Sequence, residues 1–504
     1  MMNSLAIRSC GQDRKSARRH ARLRDALAAL GLAALAGCAS MAPDYERPQA
    51  PVPQAYPAPA ATHGAVAHEL AWRDFFTDPV LSRLIETALE NNRDLRVAAL
   101  RVDEARSAFR IQRGERFPEI SVGGQGARSR LPGDLNASGQ PIVGGEYRAE
   151  VGLTTWELDL WGRVRSLERS ALESWLATEA AGQAVHIALV AQVANGYLAV
   201  RELDERVQIA RQSVASREES YRIFQRRYEV GSTARLDVTQ VQTLLTQAQS
   251  LLAQLEQQRA TQINALRLLV GGDPGIEPQQ EPFDETTVLA ELDAGLPSTL
   301  LTSRPDIIAA EHRLLAANAN IGAARAAFFP RIALTGSFGS ASAELDGLFE
   351  SGSKSWAFVP TVSLPIFDGG RRQANLELSE VRRDMAVAEY EKAIQNAFRE
   401  VADALAAHHW LRQQLEVQLV GRDAQAERAR LAQLRYDRGS AAYLEVLDAQ
   451  RDLLDVRQQV VQTRRALLTS QIALYSALGG GNDASDNSSR TGDSSQSIET
   501  PSQP

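Results

Sequence analysis

The second half of this chain repeats the first, which restricts it to folds that use one large element twice. Asp94 falls on Asp306, Phe117-Pro118 on Phe329-Pro330 and Ile120 on Ile332, an offset of 212 (306 − 94). Further along, the offset is 208 (370 − 162): Gly162-Arg163 falls on Gly370-Arg371, Tyr228 on Tyr436 and Gly231-Ser232 on Gly439-Ser440. The four lost residues lie between Gly124 and Gly162, where each half carries short alternating segments. A unit of about 200 residues exceeds the period of ordinary solenoids and suggests one wall element used twice.

Each copy holds a pair of long helices. From Arg163 to Glu229 the sequence has no proline and almost no turn signals; Gly231-Ser232 breaks the pattern, and a second helical stretch runs from about Leu236 to the stop at Gly271-Gly272-Asp273-Pro274. The second copy does the same from Arg371 to Asp437, breaks at Gly439-Ser440, and continues from Leu444 to Leu478. At 1.5 Å per residue the longer helices reach about 100 Å, which calls for coiled-coil packing. In the last helix Leu447, Leu454, Val461, Leu468 and Tyr475 recur every seven residues, beside a second column of Val446, Leu453, Val460, Leu467 and Leu474. Two adjacent columns predict a neighbour on either side, as in a wall or cylinder.

Four shorter segments predict strands in two hairpins. Tyr147, Ala149, Val151 and Leu153 alternate with Arg148, Glu150, Gly152 and Thr154. Ile332 and Leu334 alternate with Ala333, Thr335 and Ser337, and Trp356, Phe358, Val362 and Leu364 with Ala357, Val359, Thr361 and Ser363; Ile120 to Gln125 is the weakest of the four. One apolar and one polar face fits a membrane barrel with a wet interior, and a half-buried soluble sheet gives the same alternation. Four strands cannot close a barrel around a lumen, and open edges cannot be left in lipid. Hairpins that enter a membrane therefore require copies of the chain, and three copies supply twelve strands.

The N-terminus reads as a processing signal: a basic region (Arg14, Lys15, Arg18, Arg19, Arg22, Arg24), an apolar stretch from Ala26 to Ala36, then Leu35-Ala36-Gly37-Cys38. Those last four residues resemble a bacterial lipobox, with Cys38 as the lipid-modified first residue, bearing acyl chains such as palmitate. Ala39 follows, where an Asp would favour inner-membrane retention. Removing residues 1–37 takes away seven basic and two acidic side chains and moves the formal charge from −7 to −12, which argues against a nucleic-acid partner. The organisation expected is a signal peptide over 1–37, a lipid anchor and extended Pro/Ala-rich tether over 38–70, a first repeat over 71–275, a second over 276–480 and a disordered tail over 481–504. Each repeat holds short helices, a β-hairpin and a long helix pair. Between tether and tail no apolar run is long enough to be expected as a transmembrane helix.

Several of these motifs together resemble the TolC family of outer-membrane channels, in the lipoprotein branch serving resistance-nodulation-division multidrug pumps. They are the lipobox, Ser303-Arg304-Pro305-Asp306-Ile307, Phe329-Pro330, Asp368-Gly369-Gly370-Arg371, and above all Tyr436-Asp437-Arg438-Gly439-Ser440 with the stretch from Tyr443 to Arg451. The resemblance spans about residues 40–480. It implies a mixed α+β membrane protein: a homotrimer whose twelve-stranded β-barrel crosses the outer membrane and continues as an α-helical coiled-coil barrel through the periplasm. It also implies partners: a periplasmic adaptor and an inner-membrane pump, with outer-membrane lipid around the barrel. The expected function is a passive, gated conduit for drugs or other small compounds.

By position, Tyr436, Asp448 and Arg451 match residues that close the periplasmic aperture in relatives. Asp448 and Arg451 stand three apart on one helix face, where a solvated ion pair is the plainer reading. The resemblance also makes the hairpin tips, Gly231, Ser232, Asp237, Gly439 and Ser440, candidate adaptor-docking points, although helix–helix turns need such glycines anyway. In the first half Gln242 matches Gln450, but Thr243 stands in the place of Arg451, so the lock is assigned to the second half.

No catalytic constellation, phosphate-binding loop or metal-ligand spacing is evident among His63, His68, His186, His312, His408 and His409, so neither enzyme activity nor a cofactor is expected. Two alternatives remain open at this level: a conduit for type I protein secretion, and a structural periplasmic coiled-coil lipoprotein whose alternating segments are soluble sheet.

Overall fold

The computed structural model describes residues 41–57, 65–66, 70–135, 137–279, 292–293 and 297–480. Cys38, the leader and the C-terminal tail lie outside the described residues. Eleven main elements follow one another: α1 (Pro79–Asn91), α2 (Arg93–Gly114), β1 (Ile120–Leu131), β2 (Ile142–Glu157), α3 (Arg163–Glu229), α4 (Arg235–Val270), α5 (Pro305–Ala326), β3 (Arg331–Ser342), β4 (Lys354–Ser363), α6 (Arg371–Asp437) and α7 (Tyr443–Ala477). The repeat is visible in the lengths: α2 and α5 both have 22 residues, β1 and β3 both 12, α3 and α6 both 67, and α4 and α7 have 36 and 35.

The chain divides into two units. Each draws on both halves of the sequence: one comprises Met1–Pro48, Asp103–Leu176 and Glu311–Ala388, the other Gln49–Val102, Ala177–Ala310 and Glu389–Pro504, within the described residues.

The first unit carries the sheet, ordered β1-β2-β3-β4 with every pair antiparallel. Its two hairpins are joined by the β2–β3 pairing, with a bulge between Leu153 and Trp156. The register turns sequence alternation into faces. Val122 pairs with Val151, Val151 with Phe338 and Phe338 with Trp356, one apolar row across all four strands. The next row on that face is Ile120, Leu153, Gly336 and Phe358, while the opposite face carries Gly123, Glu150, Gly339 and Ser355 in register. The apolar row is open in the single chain: Val122 is 83% exposed, Trp356 72% and Phe338 64%. β1, the weakest strand in sequence, runs six residues beyond Gln125, because Gly126 to Leu131 pair in unbroken register with Tyr147 back to Ile142.

The Pro/Ala-rich segment after residue 40 forms no helix or strand over 41–57, yet it is not a free tether. In the first unit Arg47 grips Glu311 with two hydrogen bonds of 2.8 Å, Tyr45 donates to the same carboxylate at 3.0 Å, and the Asn318 amide donates to the Pro43 carbonyl at 2.8 Å. Gly322 makes room for it: a Cβ there would lie 2.7 Å from the Ala42 nitrogen. In the second unit Tyr56 stacks on Phe398 at 5.1 Å. An extended chain makes no internal backbone ladder, so its backbone and side-chain groups must find partners on neighbouring elements, and composition alone does not reveal which.

The second unit is helical. Asp78 caps α1 by accepting from Val80 and Leu81, and also accepts the Tyr197 hydroxyl at 2.7 Å. Burial, reinforced by that carboxylate, pushes the Tyr197 pKa up to about 12. Both heptad columns of α7 are buried except Leu453, and they meet different neighbours. Val460 and Leu467 pack on Leu415 of α6, while Leu447 packs with Phe224 of α3 and Val241 of α4. One expectation is corrected here: an 18-residue window in α3 is apolar and long enough to cross a membrane, with mean hydropathy 1.2. Val190, Val193, Ala194, Tyr197 and Leu198 of α3 are buried against protein, which accounts for the apolar run as a core helix.

Candidate functional site

The α6–α7 hairpin holds Tyr436, Asp448 and Arg451. The tip forms because Gly439 takes φ of 72°, a left-handed conformation that lets the Gly439 and Ser440 amides bond back to the Tyr436 and Arg435 carbonyls at 2.8 and 2.9 Å. The α3–α4 tip is built identically, with Gly231 at φ 78° and amides of Gly231 and Ser232 bonded to Tyr228 and Arg227. Both serine hydroxyls donate to the same carbonyls, Ser232 to Arg227 at 3.0 Å and Ser440 to Arg435 at 2.9 Å. Asp237 reaches back to the start of α4, accepting from Thr233 Oγ1 at 2.6 Å and from the Ala234 amide at 3.2 Å. The polar groups of these five residues thus serve the turns themselves, and the exposed side chains around them include three apolar ones, Val230 (67% exposed), Leu236 (65%) and Leu444 (51%), beside charged ones such as Arg235 and Arg438.

Asp448 and Arg451 do meet, at 3.3 Å, with both side chains roughly half exposed. Arg451 also contacts Asp452 at 3.2 Å, and Asp452 receives a 2.6 Å bond from Arg428 of α6. The Arg428 hydrogen bond, aided by Arg451, holds the Asp452 carboxyl below the usual carboxylate range. Tyr436 does not join this group within the chain. Its hydroxyl accepts from Arg227 of α3, and its ring lies 4.8 Å from that of Tyr443. Tyr443 in turn packs on Phe224 at 4.4 Å and donates to Ser220 Oγ at 2.6 Å. Tyr436 therefore fastens one hairpin to the other, while Asp448, Arg451, Asp452 and Arg428 form a charged chain along the second hairpin.

Behind this chain Arg217 is buried to 4% exposure, with a 2.6 Å bond to the Leu244 carbonyl. Burial lowers its pKa, partly offset by Asp455, and the Arg451 charge lowers it further. Sequence reading missed Arg428, Asp452 and Arg217. One signal was available for the first two: 428 and 452 are each twelve residues from Ser440, as Arg435 and Glu445, paired at 2.9 Å, are each five. In an antiparallel hairpin, equal distances from the tip mark facing positions.

The family model described as outer membrane efflux protein matches residues 84–272 and 296–480. The chain is 46% identical over 461 residues to the solvent efflux pump outer membrane protein SrpC of Pseudomonas putida, covering 90% of this chain and 97% of that protein. It is 44% identical over 461 residues to outer membrane protein OprJ of Pseudomonas aeruginosa, covering 91% and 96%. Among solved structures, the open state of the Neisseria gonorrhoeae MtrE outer membrane channel aligns with a TM-score of 0.81 at 36% identity, covering 88% of this chain and 98% of that one.

Proposed function

This chain belongs to the outer membrane efflux protein family, and from that premise we propose that three copies close a twelve-stranded barrel across the outer membrane, with the long helices forming a gated periplasmic conduit. It is an outer-membrane channel component of an efflux system and not an enzyme. The observation that carries the trimeric reading is the sheet. Its apolar rows are open to the surroundings, its opposite face carries glycine and polar or charged side chains, and β1 and β4 each leave an edge unpaired among the described residues. Unpaired strand edges in hydrocarbon cost several kcal/mol per group, about the penalty for burying an unbonded amide, so the edges must meet other copies.

The domain plan proposed is a signal peptide over 1–37, an anchor and tether over 38–70 with acyl chains on Cys38, repeats over 71–275 and 276–480, and a C-terminal tail over 481–504. At the periplasmic end, Asp448 and Arg451 form the lock, extended by Asp452 and Arg428, and Tyr436 holds the two hairpins together as they close. A periplasmic adaptor docks on the tips at Gly231, Ser232, Asp237, Gly439 and Ser440, where Val230, Leu236 and Leu444 supply the apolar contact. An inner-membrane pump of the resistance-nodulation-division class supplies the energy, and the exported compounds are drugs or other small molecules. The names of SrpC and its relatives favour this over protein secretion. The native mass of the detergent-extracted protein tests the assembly: three chains are expected, and a monomer that still inserts into bilayers would contradict it.

A further inference from the structure

On the first unit a cavity of about 220 Å³ is lined by Ser170 of α3, Arg313 and Asn320 of α5, and Ser379 and Arg382 of α6. Ser170 and Ser379 are buried, while Arg313 and Arg382 are exposed. Among the described residues neither guanidinium has a hydrogen-bond or ion-pair partner. Carboxylates nearby on the same helices are engaged elsewhere: Glu173 holds Arg169 at 2.6 Å and His312 at 2.7 Å, and Glu380 holds Arg325 at 3.7 Å. Two free guanidinium groups and the Asn320 amide therefore converge on one small space, while the Ser379 hydroxyl donates to the Asn375 carbonyl at 2.9 Å.

The face on which this cavity opens follows from α5 itself. The tether lies along Glu311, Asn318 and Gly322. Arg313 stands two residues beyond Glu311, and Asn320 two beyond Asn318. Two residues turn an α-helix by about 200°, so the cavity lies on the side of α5 opposite the tether. On the reading proposed above, the tether runs from a lipid-anchored Cys38 and must stay on the outside of the wall, which leaves Arg313 and Arg382 facing the lumen.

We propose that this cavity is an anion-binding station in the channel wall, which takes the carboxylate, phosphate or sulfonate group of a solute in transit. The inference rests on the trimeric-channel reading. Three copies place six guanidinium groups at one level of the lumen. Each presents a planar fork that matches an oxyanion in two-point fashion, with Asn320 adding an amide donor. Because the groups are exposed, the attraction is screened by salt, so the station favours entry of anions at low ionic strength without trapping them.

The test uses single-channel recording across a KCl gradient in the Asp448→Ala/Arg451→Ala background, so that the entrance does not limit the current. The channel with intact Arg313 and Arg382 is expected to reverse toward the chloride equilibrium potential, with a preference that fades as salt rises. Inorganic phosphate added to one side is expected to reduce its current. Arg313→Gln/Arg382→Gln should shift the reversal potential toward potassium and abolish the phosphate effect, while Arg313→Lys keeps a partial preference. An unchanged reversal potential and phosphate response in the Gln variant, with conductance intact, would overturn the station and leave the channel standing. Absence of any conductance would overturn the channel reading and the station with it.

Discussion

At the scale of single residues, Asp452 concentrates the electrostatics of the helical tip. It bonds Arg428 on the facing helix and Arg451 on its own, so it links the Asp448–Arg451 pair, proposed above as the lock, to the other helix of the same hairpin. Its carboxyl is held below the ordinary range, so its folded-state pKa lies beneath the unfolded value. The sign is then fixed: the contribution is complete above the unfolded carboxylate pKa and is lost as pH falls through the depressed folded value. A half-exposed pair of this kind is worth roughly 0.5 kcal/mol, so Arg428→Ala should leave thermal unfolding almost unchanged. The same variant should raise leak conductance at neutral pH, and the wild type should approach that leak only well below pH 4 (about the unperturbed Asp pKa). A variant as tight as the wild type would remove Arg428 from the lock. Asp448 and Arg451 were legible through the family resemblance of the stretch from Tyr443 to Arg451; their i,i+3 spacing agrees with it but also fits an ordinary surface ion pair. Arg428 and Asp452 pair across a turn, and that pairing depends on the exact tip that the Gly439 conformation sets.

At the scale of elements, the helices and strands follow directly from periodicity, and the extended segments do not. The two heptad columns of α7 pack against different helices because adjacent residues stand about 100° apart around a helix, while a seven-residue period, just short of two full turns, keeps each column in line. Leu467 is 1% exposed and packs with Leu415 and Val460, so Leu467→Ala should cost about 2–5 kcal/mol, read as a clear drop in the thermal midpoint by circular dichroism. A change within error would show that the column is not a packed seam. The tether shows the opposite case. Proline and alanine announce an extended chain, but where it lies depends on Glu311, more than 260 residues away in sequence. Glu311→Ala removes the acceptor of both Arg47 and Tyr45 and should expose residues 41–57 to limited proteolysis many times faster, with the helices intact. An unchanged cleavage rate would mean that Asn318 and Gly322 hold the segment without the clamp.

At the scale of the whole molecule, the duplicated unit, the apolar sheet face and the unpaired edges converge on a channel assembled from copies. The repeat was the most legible feature, since paired helices of equal or nearly equal length reappear at the offsets read from sequence. Which face of the sheet is apolar along its full width became clear only with the register, because Val122, Val151, Phe338 and Trp356 lie on four different strands. The lumen-facing arginines are hidden for a similar reason: Arg313 and Arg382 belong to different halves, and nothing in their local sequence marks them as unpaired.

A pore held shut at its helical end can be read from the single-channel conductance of the purified protein in a planar bilayer. The wild type should show a small, mostly closed conductance, and Asp448→Ala/Arg451→Ala a larger and longer-lived one, with both proteins equally folded. Equal conductance from the two would contradict the lock, and insertion without any conductance would contradict the pore.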